Sequence, residues 1–115
     1  MTRCKFVTVR ELVERICHDD CDIGYVIGFT LDRPEDIDNG REPSGWFGVM
    51  LTNLFDAVGF VIGYFCRGIV MHNAVWYDAE ENVQLFIDFL KSEGKKDANE
   101  NTLICVDADE FDNAF

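Results

Sequence analysis

The sequence predicts an α+β domain: a mostly antiparallel sheet of about four to five strands, packed by two helices, with a possible third short helix near 45–56. Three observations carry this. Two amphipathic segments open with capping residues, at Thr8 and Asp78. Between and after them lie β-rich apolar runs at 23–31, 60–66, 69–76 and 102–106. Finally, 48% hydrophobic and 13% aromatic residues in 115 are too many for a disordered acidic chain and enough for one core. We read residues 1–115 as a single domain whose last residues, 107–115, form an acidic tail.

The first helix begins at Thr8, where Thr-x-x-Glu with Glu11 has the spacing of a capping box. Val9, Leu12, Val13, Ile16 and Cys17 then fall on one face, with Arg10, Glu11, Glu14 and Arg15 opposite. Residues 23–31 alternate as a strand. Ile23, Tyr25, Ile27, Phe29 and Leu31 form the large face; Gly24, Val26, Gly28 and Thr30 form the small one, suited to close approach by another element. Residues 32–45, with both prolines, read as a polar loop long enough to be either functional or mobile.

The period of 46–58 is ambiguous. Phe47, Met50, Leu51, Leu54 and Val58 fit a helix, while Trp46 to Thr52 also fits a buried strand; the short helix is preferred. Phe60 to Cys66 and Ile69 to Trp76, separated by Arg67-Gly68, form a hairpin. The second helix starts after Asp78 and stops at Gly94, with Val83, Phe86, Ile87 and Leu90 on its core face. Thr102 to Val106 closes the chain as a strand. As a crossover product it should run parallel to strand 69–76 and lie beside it.

Leu85 and Phe89 stand apart from that core face. They mark an interface, covered either by Phe111 and Phe115 of the tail or by a second copy of the chain, so that the protein is a monomer or a homodimer.

Twenty-two acids against ten Lys and Arg give a net charge of -12. The excess lies in 19–42 and 78–115, flanking a nearly neutral, aromatic middle. That balance excludes direct binding to nucleic acid or an anionic membrane, since phosphate recognition requires Lys and Arg. The apolar run Trp46 to Cys66 carries Thr52, Asn53 and Asp56 near its centre, so it reads as globular core rather than a membrane span. Five cysteines, an odd number, and no leader-like apolar segment at the N-terminus point to a reducing cytoplasm.

Chemical motifs are weak. Cys17-x3-Cys21 has zinc-ligand spacing but no second Cys/His pair, and Cys17 completes the apolar stripe. Asp36 and Asp38 lack the closing Glu of a calcium loop. No metal and no cofactor is expected. A small enzyme or ligand-binding module using Cys66, His72 or Tyr64 is one alternative, and a structural, oligomeric domain whose charge serves solubility is another.

The acid clusters carry the leading reading. Asp19, Asp20 and Asp22 crowd together, and Asp32, Glu35, Asp36, Asp38 and Glu42 follow on the long loop. Asp107 and Asp109, in extended chain, would project to the same side about 6.6 Å apart. These ten carboxylates are the candidate surface for a basic protein partner. The expected function is therefore a non-enzymatic acidic protein that inhibits or sequesters a nucleic-acid-handling protein by mimicking phosphates. Immunity proteins, antitoxins and phage inhibitors offer an analogy of size and charge.

Overall fold

The computed structural model describes residues 3–18, 21–38, 45–54, 57–64, 68–73 and 78–115. Along the chain run β1 (Cys4–Thr8), α1 (Val9–His18), β2 (Ile27–Thr30), α2 (Pro34–Asp38), β3 (Phe47–Leu54), β4 (Ala57–Tyr64), β5 (Gly68–Asn73), α3 (Ala79–Ser92), β6 (Leu103–Asp107) and α4 (Ala108–Asn113). Among the described residues, six strands form one sheet in the order β1-β6-β2-β3-β4-β5, every neighbouring pair antiparallel. The α+β class is as the sequence indicates.

Register puts Val7, Ile104, Val106, Ile27, Phe29, Val49, Leu51, Phe60 and Ile62 on one face of the sheet, and all of them belong to the main core. Helices α1 and α3 cover that face. Phe86 and Phe89 of α3 meet Phe29 at ring-centroid distances of 5.0 and 6.2 Å, and Phe89 meets Phe47 edge-on at 5.3 Å. Such pairs add about 0.5–1.5 kcal/mol beyond area burial. The opposite face holds Thr30, Cys105 and Val61, all buried but outside the main core.

The helix ends follow local chemistry. Thr8 Oγ1 accepts the Glu11 N–H, and Asp78 caps α3 by accepting from Glu81 N–H. At Gly94, φ is +102°, a conformation glycine adopts without strain. Lys95 N–H then donates to Leu90 O and Gly94 N–H to Lys91 O, the paired bonds of a Schellman stop.

Several expectations are corrected. Residues 47–54 are strand β3, so among the described residues the short helix expected near 45–56 is not formed. The reason is tertiary: β2 and β4 lie on either side, so Phe47, Val49 and Leu51 gain a core face at every second position. The segment 32–45 contains α2, with Pro34 at its first position, where a missing N–H costs nothing. Strand β2 is shorter than 23–31, because Gly24 turns the chain at φ +85° and leaves Ile23 53% exposed. Strand β1 is an element the sequence reading omitted.

The crossover expectation is half met. Four successive antiparallel pairings make β5 and β6 parallel in direction, yet three strands separate them. Helix α3 spans the core face between them. The β4–β5 hairpin is present, with a register shift between Ile62 and Gly63; residues 65–67, including Arg67, lie outside the described residues. The tail is also ordered into structure, since α4 packs on β2 and β6 and buries Phe111 completely.

Candidate acidic interface

The ten carboxylates fall into three sets. Asp19, Asp20 and Glu42 lie outside the described residues, and of Asp38 only the backbone, at the end of α2, is described. Asp32, Glu35 and Asp36 form one group where β2 runs into α2. Glu35 is exposed; Asp36 is half-buried and accepts from Arg33 Nε at 3.4 Å. Helix α2 packs against β6, and Asp32 lies near enough to Cys105 for its charge to act on that thiol.

Asp107, Asp109 and Asp22 belong with the opposite end of the short strand β2. Asp22 is exposed and its carbonyl accepts the Tyr25 N–H, closing the turn that leads into β2. Asp107 ends β6 and caps α4: its Oδ1 accepts from the backbone N–H groups of Asp109 and Glu110 at 3.0 and 3.1 Å. The extended arrangement of Asp107 and Asp109 is thus overturned. A carboxylate at the chain's turn into a helix gains more from the free N–H groups there than from continued extension.

Three site residues escaped the sequence reading. Glu110 is half-buried, and its Oε1 accepts the Gly28 N–H at 2.8 Å. Burial raises its carboxyl above the usual range, with Asp107 adding to the effect and the Gly28 bond opposing it. Tyr25 has a phenol pushed upward by burial and by the charges of Glu110, Asp107 and Asp109. Asp112, one turn after Asp109, shares Arg3 with it: Arg3 Nη2 reaches Asp109 Oδ1 at 2.8 Å and Asp112 Oδ2 at 3.1 Å. Lys5 joins Asp112 at 3.6 Å. The Asp107-x-x-Glu110 spacing was the available signal for this helix.

Two of the chain's own arginines are engaged elsewhere. Arg10 binds Glu14, Glu80 and Glu100 at 2.9, 2.8 and 2.6 Å, joining α1 to α3 and to the loop before β6. Arg15 lies over the rings of Phe111 and Phe115. Just beyond β6, Asp109 and Asp112 are exposed and share Arg3 between them.

No family model matches this chain, and no curated protein or solved structure matches it either.

The alternative sites are less developed. Among the described residues, no group of three or more His, Cys, Asp and Glu side chains is placed to hold a metal ion. Cys17 and Cys21 are buried and unbridged. Cys66 and the side chains of His72 and Tyr64 lie outside the described residues. Among the described residues, no helix is long and apolar enough to cross a membrane.

Leu85 and Phe89 change role. Phe89 is fully buried against Phe29 and Phe47, and Leu85 is half-buried against the same core. Helix α3 packs on the sheet and on α1, where Asn82 of α3 reaches Cys17 of α1. The tail packs on β2 and β6 instead, and Phe89 presents nothing to a second subunit.

Proposed function

We propose that this is a non-enzymatic, cytoplasmic binding protein that occludes or sequesters a basic, nucleic-acid-handling protein by presenting carboxylates where that partner expects phosphates. One observation carries the reading. Asp109 and Asp112, one turn apart on α4, grip the forked guanidinium of Arg3 through three hydrogen bonds of 2.8–3.2 Å. The pair on this short helix therefore has the spacing that accommodates a guanidinium, the group with which proteins clasp phosphates, and a partner's arginine would compete there with Arg3. Asp22, Asp32, Glu35 and Asp36 extend the negative field along the neighbouring segments, and a net charge of -12 would steer a cationic partner from a distance.

The test is the affinity for a fluorescently labelled arginine-rich peptide, measured by anisotropy across a salt series. The reading predicts steep weakening between low and moderate salt, as the screening length shrinks toward about 8–10 Å. An affinity independent of salt, or none at low salt, contradicts it.

A further inference from the structure

Cys4 opens β1 and Cys105 sits in the middle of β6. Register pairs Cys4 with Asp107 and Phe6 with Cys105, so the two cysteines occupy diagonal positions on one face of the sheet. Cys4 lies near enough to act on the Cys105 thiol, whose Sγ also lies 3.9 Å from Val106 O. The face is the one opposite α1 and α3, where Thr30 pairs with Cys105 across β2. Cys4 is half-buried and Cys105 fully buried. The other described cysteines are engaged differently: Cys17 accepts from Asn82 Nδ2 at 3.4 Å, and Cys21 Sγ lies 3.8 Å from Asp22 O.

We propose that Cys4 and Cys105 form a redox-responsive dithiol, which a hydroperoxide converts to an intramolecular disulfide that clamps β1 onto β6. Cys4, the more accessible sulfur, attacks the peroxide. A sulfur–oxygen bond forms, the oxygen–oxygen bond breaks, and the thiol proton leaves with the departing oxygen as water or an alcohol. Cys105 then attacks the Cys4 sulfenic acid. A sulfur–sulfur bond forms, the sulfur–oxygen bond breaks, and the Cys105 proton departs with the hydroxyl as water. The two thiols are oxidised by two electrons, and the peroxide is reduced by two.

The surroundings order these steps. Burial holds the Cys105 thiol strongly protonated, with Cys4 and the charge of Asp32 acting in the same direction. It is therefore a poor first nucleophile, and its diagonal position beside Cys4 makes it the resolving one. A diagonal pair starts farther apart than a directly opposed one, so bridging requires a small backbone shift. Cys4 is the first residue of an edge strand paired on one side only, where such a shift meets least resistance. The bond would fix the strand whose Arg3 and Lys5 hold α4. This chemistry does not depend on the acidic surface having a partner.

The reduced full chain is treated with hydrogen peroxide, trapped with an alkylating agent, and examined by intact mass and non-reducing peptide mapping. The expected result is loss of two hydrogens and a Cys4–Cys105 cross-linked peptide that appears before any other. Dithiothreitol should reverse it. Cys4→Ala, folded as judged by circular dichroism, should lose the cross-link and leave Cys105 reduced. Three outcomes overturn the proposal: Cys4 advancing to sulfinic acid while Cys105 stays reduced, a different cysteine pair linking first, or a protein that stays reduced at peroxide concentrations that oxidise free glutathione.

Discussion

Glu110 Oε1 accepts the Gly28 N–H at 2.8 Å, which ties the last helix to the backbone of β2, 82 positions earlier in the chain. Strand β6 ends at Asp107, and the Glu110 side chain supplies β2 with an acceptor just beyond that point. The acid is thus part of the sheet's hydrogen bonding as well as of the charged surface.

Glu110→Ala should cost about 1–2 kcal/mol, the penalty for leaving a buried N–H without its acceptor. Glu110→Gln keeps an acceptor and removes the buried charge. Because burial raises this carboxyl in the folded state, the folded protein holds the proton more tightly than the unfolded chain. Its contribution is fully present below pH 4.5 and is lost as pH rises through the folded value. Urea titrations should therefore show Glu110→Gln gaining on wild type as pH increases above 4.5. A constant difference across pH would contradict the assignment.

Phe89→Ala should destabilise the fold by about 3–5 kcal/mol, as for a fully buried aromatic. Leu85→Ala, at a half-buried position, should cost about 1 kcal/mol. Chemical denaturation with an unchanged slope measures both. If Phe89→Ala is nearly neutral and instead shifts a monomer–dimer equilibrium in light scattering, the core assignment fails.

The contrast between these two residues shows what the sequence could carry. Helical periodicity set Leu85 and Phe89 apart from the Val83–Leu90 stripe and asked for a second cover, whereas Phe86 and Phe89 both meet Phe29 and share the sheet as their cover. It could not name the cover, because Phe29 and Phe47 reach Phe89 only through strand pairing distant in sequence. The same blindness turned β3 into a helix: Phe47, Met50, Leu51 and Leu54 fit a helix while Trp46 to Thr52 also fits a buried strand, and only the neighbours β2 and β4 decide. Caps at Thr8, Asp78 and Gly94 were legible because they act within four residues. Asp107-x-x-Glu110 was equally local but sat in a segment whose acidity suggested a tail. The diagonal placement of Cys4 and Cys105 and the sharing of Arg3 by Asp109 and Asp112 join the chain's two ends, beyond any local pattern.

Arg10 holds Glu80 below the ordinary carboxylate range through their hydrogen-bonded pair. A depressed carboxyl contributes stability above pH 4.5 and loses it as pH falls through the folded value. Glu80→Gln should therefore flatten the acid limb of the stability profile. Arg10→Met should lower the thermal midpoint by removing the link among Glu14, Glu80 and Glu100, and the loss should shrink in high salt. An acid limb unchanged in Glu80→Gln would contradict this.

The central claim is that a particular acidic surface, and not net charge alone, recognises a basic partner. Two variants with equal charge loss test it most directly. The first neutralises Asp22, Asp32, Glu35, Asp36 and Asp109 as amides; the second does the same at Glu11, Glu81, Asp88, Glu93 and Asp97, on α1, α3 and the loop after it. Affinity for the same labelled arginine-rich peptide is measured at one fixed ionic strength. The account predicts a loss of about tenfold or more, roughly 1.4 kcal/mol, for the first variant and less than about threefold for the second. Equal losses in both, or none in the first, would contradict it.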